Sequence, residues 1–406
     1  MSTPPRLTPR FYRIRPSVSA ELARTADVLQ RGGRPIVNLA AGHLPGELSR
    51  ELRQVATESW QGGYFTYLGG PGLPPLRDAV VDWLEMRHLR TADDVLVSPG
   101  SRAALAAVLA VVTGPGDVVL VDGAAWPVFH QPVAVSGATP LPCQPSGPPE
   151  ARRLKLTAAD VRTHLELVRG VRALVLASPV NTTAQVYDAE EIHAIVEMCA
   201  AHHVFCIIDR LYGRLVYDGA RLPFFQGTPA VRDWLVLIDG VTRAFRGTGG
   251  VRVGWACGPR DIIEAATTAQ EYGTGPPGRV LQRIALSALQ MPYDLGLVEE
   301  LEAARDYLFD QLAPVPGVRP WPVAATTYAL LDCSAWMGAT TAVGWVVETA
   351  GDLADYLLSE ANVLVTPIEV AGVRGLIRVS FANPWEAIGD ASARIGVALE
   401  ALHPRV

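Results

Sequence analysis

Short apolar runs alternate with amphipathic segments through the middle of the chain. The runs are rich in Val, Ile and Leu, as in DVLVS, DVVLVD, RALVLA, FCIID and WLVLID, and a segment with helical spacing, AEEIHAIVEMCAAH, lies between two of them. Continuous apolar runs of this length between helices are typical of buried strands in a parallel sheet. The pattern predicts a large α/β domain over residues 46–285, with helices on both faces of a mostly parallel sheet.

The pattern changes after about residue 286. A long helical stretch, LGLVEELEAARDYLFDQLA, is followed by separated strand-like runs, TTYALLDCS, ANVLVTPI and GLIRVSFA. We expect a second, smaller α+β domain formed by residues 286–406 together with residues 1–45.

The composition argues against several classes of protein. The chain has 406 residues, 49% of them hydrophobic, and a net charge of −6, so it has no basic footprint for nucleic acid. We find no apolar run long enough to cross a membrane and no hydrophobic secretory signal. The five cysteines show no metal-ligand spacing, which predicts buried thiols, no metal site and a cytoplasmic location.

Arginine carries almost all of the positive charge. Of the 35 basic residues, only Lys155 is a lysine. It lies in the polar stretch ARRLKLTAADV, before a helix that the sequence predicts to be capped by Thr157, so we expect it to face solvent. Base composition can explain an excess of arginine on a surface. It does not explain arginine at a reactive position, because arginine and lysine are not interchangeable there.

Polar and aromatic side chains follow the ends of several predicted strands, where ligands of parallel α/β sheets bind. In chain order they are Ser101, Arg102, Trp126, Asn181, Asp209, Tyr212, Arg243, Arg246 and Arg252. Backbone N–H groups at the helix that begins with Ser101 suit a phosphate, and Asp209 could hold a protonated ring nitrogen. Each residue alone has a structural explanation, such as a core tryptophan or a helix N-cap. Their joint occurrence at consecutive strand ends indicates a ligand site.

The order of these motifs resembles that of the fold-type I pyridoxal-phosphate enzymes, specifically the class I/II aminotransferases of the aspartate aminotransferase family. The matching segments cover nearly the whole chain and include YFTYLGGPGLPPLRDAV, SPGSRAAL, SPVNTTAQVY, DRLYGRLVYDG, GVRVGWACGP and GLIRVSFA. The resemblance implies an α/β fold with a large, mostly parallel sheet of seven strands and a small α+β domain. It also implies a homodimer that acts on a small amino or keto acid.

The resemblance implies how the phosphate and the ring face of pyridoxal 5′-phosphate would be held. Ser101 and Arg102 lie in the segment that resembles the family's phosphate turn, and Arg252 corresponds to its phosphate arginine. Tyr67 would reach the phosphate of the partner subunit. Trp126 stands where the aromatic residue that stacks on the ring belongs.

The resemblance also implies how the ring edge and the substrate would be bound. Asp209 corresponds to the residue at the pyridinium nitrogen, and Tyr212 to the one at the phenolic oxygen. Asn181 would lie near that oxygen and the substrate carboxylate. Gly42 belongs to the N-terminal substrate loop, and Arg378 would bind the α-carboxylate of the substrate.

The chain departs from the family pattern at three points. Arg243 stands at the position of the Schiff-base lysine. Thr182 and Ala184 replace the proline and glycine of the family's asparagine motif. The stretch from Arg243 to Arg252 is one residue longer than usual. Because arginine is permanently protonated and a poor nucleophile, we do not expect standard ping-pong transamination.

Three functions are compatible with these residues. The one we favour is a biosynthetic enzyme that binds pyridoxal or pyridoxamine phosphate without a covalent link, with water or Tyr212 moving the proton. The second is a cofactor-independent enzyme in which Arg243, Arg246 and Arg252 bind an anionic substrate, and Arg243 could also neutralise Asp209. The third is a catalytically silent partner or regulatory subunit that completes a neighbour's site through Tyr67.

Overall fold

The structure is a computed structural model that describes residues 14, 18–44, 46–66, 68–146, 154–370 and 373–403, without the side chains of 18–20, 126–128, 369 and 370. The helices of this part of the chain are α1 (Val18–Arg31), α2 (Arg50–Gln61), α3 (Pro74–Trp83), α4 (Ser101–Val112), α5 (Trp126–Ser136), α6 (Ala158–Leu167), α7 (Ala189–Ala201), α8 (Pro229–Trp234), α9 (Arg260–Tyr272), α10 (Arg279–Gln290), α11 (Leu295–Leu312), α12 (Ala350–Glu360) and α13 (Trp385–Glu400). Its strands are β1 (Val37–Asn38), β2 (Val95–Ser98), β3 (Val118–Asp122), β4 (Thr139–Cys143), β5 (Val171–Ala177), β6 (Phe205–Asp209), β7 (Leu235–Gly240), β8 (Gly254–Cys257), β9 (Arg319–Pro320), β10 (Tyr328–Asp332), β11 (Val363–Leu364), β12 (Thr366–Val370) and β13 (Val373–Ser380).

The large sheet has seven strands in the order β2-β8-β7-β6-β5-β3-β4. Strand β8 runs antiparallel to both of its neighbours, and the other pairings are parallel. The apolar runs that predicted these strands are buried in the core, as expected for strands covered by helices on both faces. Ala177 pairs with Asp209, so the chain leaves β5 and β6 at the same edge of the sheet. The predicted α/β fold with a large, mostly parallel sheet is confirmed.

Helix α4 packs directly over β8 and begins at the same edge. Its buried face repeats at three- and four-residue intervals, as expected for a helix lying on a sheet: Ala104, Leu105, Val108, Leu109 and Val112. Gly254 permits the close approach of β8, because a Cβ added there would lie 2.3 Å from the backbone nitrogen of Ser101. The glycine therefore fixes where the N-terminus of α4 lies relative to the sheet.

The second group of strands lies in the C-terminal part of the chain. Strands β12, β13, β10 and β9 form an antiparallel sheet in that order, and β1 pairs with β11 in a parallel two-stranded sheet. Because Val37 is opposite Val363, the N-terminal segment packs with the C-terminal region. The domain limits, 46–285 and 1–45 with 286–406, stay a prediction. No helix within the described ranges is long and apolar enough to span a bilayer.

The only lysine does not face solvent as we expected. The side chain of Lys155 is 16% exposed, forms an ion pair with Glu191 and donates a hydrogen bond of 2.9 Å to the carbonyl of Val186. The cause lies in its neighbours, since Leu154 and Leu156 are both buried and hold the segment against the loop before α7. The predicted N-cap of α6 at Thr157 is confirmed, and all five cysteines are free and buried.

Candidate active site

A cavity of about 390 Å³ lies where the carboxyl ends of the large sheet face the C-terminal strands. Residues from both parts of the molecule line it. The predicted site residues among them are Gly42, Ser101, Arg102, Asn181, Asp209, Tyr212, Arg243 and Arg378. Tyr67 lies outside the described residues, as does the side chain of Trp126. The grouping of the others agrees with the sequence analysis, while their individual roles stay predictions.

One end of the site is the N-terminus of α4. The N-cap Gly100 has φ of 92° and no side chain caps the helix, while helical hydrogen bonds to the Gly100 carbonyl begin at Ala103, so the N–H groups of Ser101 and Arg102 precede them. The guanidinium of Arg252 lies against Gly100, with Nη2 2.8 Å from the position of an added Cβ. Ser101 and Arg102 follow on the helix itself. N–H groups at a helix start, a hydroxyl and two guanidinium groups together suit a phosphate dianion.

Arg246 does not join the predicted anion cluster. Its Nη2 lies 2.7 Å from a carboxylate oxygen of Glu300, and its Nε lies 3.2 Å from one of Asp294. Both carboxylates come from the start of α11, which the local sequence around Arg246 does not reveal. The expectation that Arg246 helps to bind an anionic substrate is wrong, because its charge is already paired.

Asp209 ends β6 and lines the cavity. Its Oδ1 accepts a hydrogen bond of 2.9 Å from the backbone N–H of Leu211. Burial raises the pKa of Asp209 to about 6, and that hydrogen bond and the charge of Arg102 offset the effect only in part. Among the described residues Asp209 has no ion-pair partner. A carboxylate enclosed in this way is stabilised by any cationic N–H group that reaches it.

Arg243 does not neutralise Asp209, which corrects one of the possibilities left open above. It lies in the turn after β7, and its Nη1 donates a hydrogen bond to the carbonyl of Gly42. Its Cζ is 5.7 Å from the ring centre of Tyr212. Burial opposes the charge of Arg243, but Tyr212 and Tyr328 outweigh it, and its pKa is raised above the ordinary value. The guanidinium is therefore a fixed cation that holds the Gly42 loop.

Tyr212 is buried beside a second tyrosine, Tyr328. The two ring centres are 6.3 Å apart, close to an edge-to-face arrangement. Burial raises the pKa of Tyr212, and the neighbouring Tyr328 raises it further against the opposing effect of Arg243 and Arg378. At neutral pH the Tyr212 phenol therefore keeps its proton and is able to donate a hydrogen bond.

Arg378 faces the cavity from the middle of the small antiparallel sheet. It is 6% exposed, and its Nε has no hydrogen-bond partner in the described part of the chain. Its Cζ lies 4.0 Å from the ring centre of Tyr328. A buried guanidinium with unused donors suits a carboxylate ligand. Sequence reasoning missed Tyr328, whose only local signal is its place at the start of the strand TTYALLDCS.

Gly42 brings the N-terminal loop to these aromatic side chains. A Cβ at this position would lie 2.5 Å from Cζ of Tyr328 and 2.6 Å from Oγ1 of Thr327. No larger residue fits without moving the buried Tyr328. The glycine is therefore required by close approach.

The Asn181 loop keeps its turn despite the departures at positions 182 and 184. Thr182 donates a hydrogen bond of 3.1 Å to Oδ1 of Asn181. Ala184 adopts φ of 57°, the left-handed conformation that glycine usually supplies, and its N–H bonds to the carbonyl of Val180 at 2.8 Å. The conformation costs about 1 kcal/mol in an alanine. The loop nevertheless presents Asn181 to the cavity.

His43 is a further cavity residue that the sequence analysis did not single out. It follows Gly42 directly, lines the cavity and remains exposed to solvent. Burial of its ring on the cavity side and the charge of Arg243 lower its pKa below 6.5. The signal in the sequence was its place beside the substrate-loop glycine in AAGHLP.

Three features are typical of the class of α/β proteins to which aminotransferases belong. They are the order of strands in the large sheet, a helix N-terminus suited to a phosphate, and the enclosed carboxylate of Asp209. Aspartate aminotransferase from Rhizobium meliloti is similar in structure, with a TM-score of 0.89, 25% identity and coverage of 98% of this chain and 99% of that one. Aspartate aminotransferase from Thermus thermophilus with maleate shares the fold, with a TM-score of 0.86, 24% identity and coverage of 97% and 99%.

Sequence comparisons agree with the structural ones. The chain is 26% identical over 410 residues to the aspartate aminotransferase of Geobacillus stearothermophilus, covering 98% of this chain and 99% of the relative. It is 27% identical over 414 residues to the bifunctional aspartate aminotransferase and glutamate/aspartate-prephenate aminotransferase of Petunia hybrida, covering 98% and 84%. Residues 34–388 match the model of aminotransferase class I and II. The chain belongs to the class I and II aminotransferase family.

Proposed function

We propose that this protein is an aminotransferase-like enzyme that acts on an amino-acid carboxylate and binds pyridoxal or pyridoxamine phosphate without a covalent bond. The observation that carries the proposal is the state of the two basic groups. Arg243 lines the cavity and is bound to the Gly42 carbonyl. Lys155, the only lysine, is paired with Glu191 and is not among the residues that line the cavity.

The described residues fit such a cofactor. Asp209 is enclosed and has a single hydrogen bond from Leu211, so a pyridinium N–H would stabilise its charge. The start of α4 and Arg252 would hold the phosphate. When bound, the cofactor would supply a ring that accepts electrons from the α-carbon of the substrate.

The protein's own residues would orient the reactants. Tyr212, protonated at neutral pH, would donate a hydrogen bond to the phenolic oxygen of the ring. Asn181 would contact the same oxygen and the substrate carboxylate. Arg378 would bind the α-carboxylate through guanidinium donors that are not used within the protein. Arg243 would position the Gly42 loop over the substrate.

Two alternatives have less support. A cofactor-independent site would use the three arginine charges for an anionic substrate, but Arg246 is paired with Asp294 and Glu300, and Arg243 is bound to the Gly42 carbonyl. The silent-partner hypothesis rests on Tyr67, outside the described residues.

We also infer that the protein is a homodimer, and sedimentation at micromolar concentration tests this inference. A strictly monomeric species would contradict it.

Replacement of Arg243 by lysine tests the non-covalent mode. Wild-type protein should change the absorption spectrum of pyridoxal phosphate saturably, and borohydride followed by dialysis should leave no cofactor on the chain. Arg243→Lys should retain the reduced cofactor, because the cationic arginines of the cavity keep part of the new amine neutral and nucleophilic. Lys155→Arg is the matched control, since it removes the only native lysine.

Three results would contradict the proposal. If wild type retains reduced cofactor, the binding is covalent. If the spectrum shows no saturable change, the protein does not bind the cofactor, and anionic substrates alone should be tested. If the Lys155→Arg variant folds like the wild type but no longer binds the cofactor, then Lys155 is the basic group required for binding.

A further inference from the structure

The cavity contains only a few groups able to gain or lose a proton. Within the described part of the chain, its titratable side chains are Arg102, Arg243, Arg378, Tyr212, Tyr328, Asp209 and His43. Arginine is already protonated at neutral pH and a tyrosine phenol keeps its proton there, so neither type of side chain accepts a proton. Burial raises the pKa of Asp209 to about 6, but its Oδ1 accepts the N–H of Leu211 and the proposed function assigns its carboxylate to the ring nitrogen of the cofactor. His43 is the only histidine among these described side chains, and an imidazole can accept a proton near neutral pH and release it again.

His43 is also suitably placed for proton exchange. Its backbone adjoins Gly42, whose carbonyl is held by Arg243, so the loop that carries the imidazole is tied to the cavity wall. The side chain lines the cavity and is exposed to solvent as well. Among the described residues it has no hydrogen-bond partner that would fix its proton. An imidazole with access to both sides can pass a proton between the cavity and water.

We propose that His43 is the proton acceptor of this active site and removes the α-proton of the bound amino acid. The inference rests on the proposed function. The Cα–H bond of the substrate breaks, its electron pair stays on the substrate and is shared with the bound cofactor, and the proton goes to an imidazole nitrogen. Return of the proton from that nitrogen to the substrate or to water restores the neutral ring. The family resemblance would assign this task to a lysine at position 243.

The charged groups around His43 affect the pH range over which its imidazole can accept a proton. Arg102 on α4, Asp209 after β6, Arg243 after β7 and Arg378 on β13 surround the same cavity. Burial lowers the pKa of His43, and the charge of Arg243, the only one of these groups that acts on the imidazole, lowers it further and favours the neutral ring. The arginine that replaces lysine would therefore keep the histidine available as a base.

The test measures loss of the α-proton of L-aspartate in D₂O by NMR, with pyridoxal phosphate present. His43→Asn should slow the exchange about 100-fold while the cofactor affinity changes less than about twofold, since only the proton acceptor is lost. His202→Asn, at an exposed histidine after α7, is the matched control and should exchange at the wild-type rate. Added imidazole should restore exchange to His43→Ala without accelerating wild type.

A second readout does not depend on turnover. In the NMR titration of the histidine ring protons, the resonance lost in His43→Asn should titrate below pH 6.5 in wild type. Arg243→Gln should move that titration upward, because the neighbouring positive charge is removed.

Each outcome separates the two proposals. A saturable cofactor spectrum with equal exchange in wild type and His43→Asn overturns the role of His43 alone. Exchange in wild type no faster than with free cofactor also overturns it. A wild-type protein that gives no spectral change with cofactor overturns the proposed function, and the role of His43 falls with it.

Discussion

Replacement of Asp209 by asparagine should stabilise the cofactor-free protein at high pH while weakening its affinity for pyridoxal phosphate. Asparagine keeps the Oδ1 atom that accepts the Leu211 N–H bond and removes only the charge. Burial raises the pKa of Asp209 to about 6 from 3.8, so the folded state holds the proton more tightly than the unfolded chain. Stability from this group is therefore fully present below pH 3.8 and is lost as the pH rises through about 6.

The magnitude follows from the gap between the two pKa values. At about 1.4 kcal/mol per pKa unit the gap corresponds to about 3 kcal/mol, which solvent in the cavity reduces to about 1–2 kcal/mol. Thermal unfolding of cofactor-free wild type and Asp209→Asn from pH 4 to 8 measures the difference. Asp122, whose pKa burial raises to about 7, remains in both proteins and cancels, while the pKa of Asp239, also raised to about 7 by burial, falls somewhat when the charge of Asp209 is removed.

The two stability curves should meet near pH 4 and separate toward pH 8, with Asp209→Asn the more stable. A difference that is independent of pH, or a less stable variant at pH 8, would refute the account of Asp209. In the same preparations the affinity for pyridoxal phosphate should fall at least about tenfold, because a charge-assisted hydrogen bond to the ring nitrogen is lost. Unchanged affinity would mean that Asp209 does not contact the ring.

Two other substitutions have matched controls in the same segments. Arg378→Ala should weaken maleate binding about 30-fold in calorimetry, because a hydrogen-bonded buried guanidinium contributes about 2 kcal/mol. Exposed Arg374→Ala on the same strand should not, and equal affinities for wild type and Arg378→Ala would disprove the assignment. Gly254→Ala should lower the melting temperature by about 4 °C, the effect of about 3 kcal/mol of overpacking, since its Cβ would lie 2.3 Å from the nitrogen of Ser101. Gly249→Ala, with nothing within 4 Å of its Cβ, should be nearly neutral, and similar losses in both would contradict this reasoning.

The sequence predicted the large sheet and the neighbourhood of the site because both follow from local patterns. Apolar runs of four to seven residues mark five of the seven strands of the large sheet, β2, β3, β5, β6 and β7, whereas β4 and β8 were not predicted from such runs. The residues that follow such strands meet at one edge, so Asn181, Asp209 and Arg243 were found from their positions alone.

Interactions between distant segments account for what the sequence did not predict. Arg246 looked free for an anion because its partners lie at the start of α11, and Lys155 looked exposed because Glu191 is 36 residues away. Tyr328 belongs to the site because it packs against Gly42. The hydrophobic pattern along the sequence does not predict a contact between segments so far apart. The sequence analysis did not single out His43, because the neighbouring Gly42 already explained the resemblance of this segment to the family's substrate loop.

The burial of Lys155 has a consequence for the chemical labelling of this protein. With the only lysine side chain paired to Glu191 and 16% exposed, reagents that modify accessible lysine side chains find no well-exposed target in this sequence. A lysine introduced on the surface would be the single accessible one. Dyes, crosslinkers or solid supports could then be attached at a chosen residue without removing any native lysine.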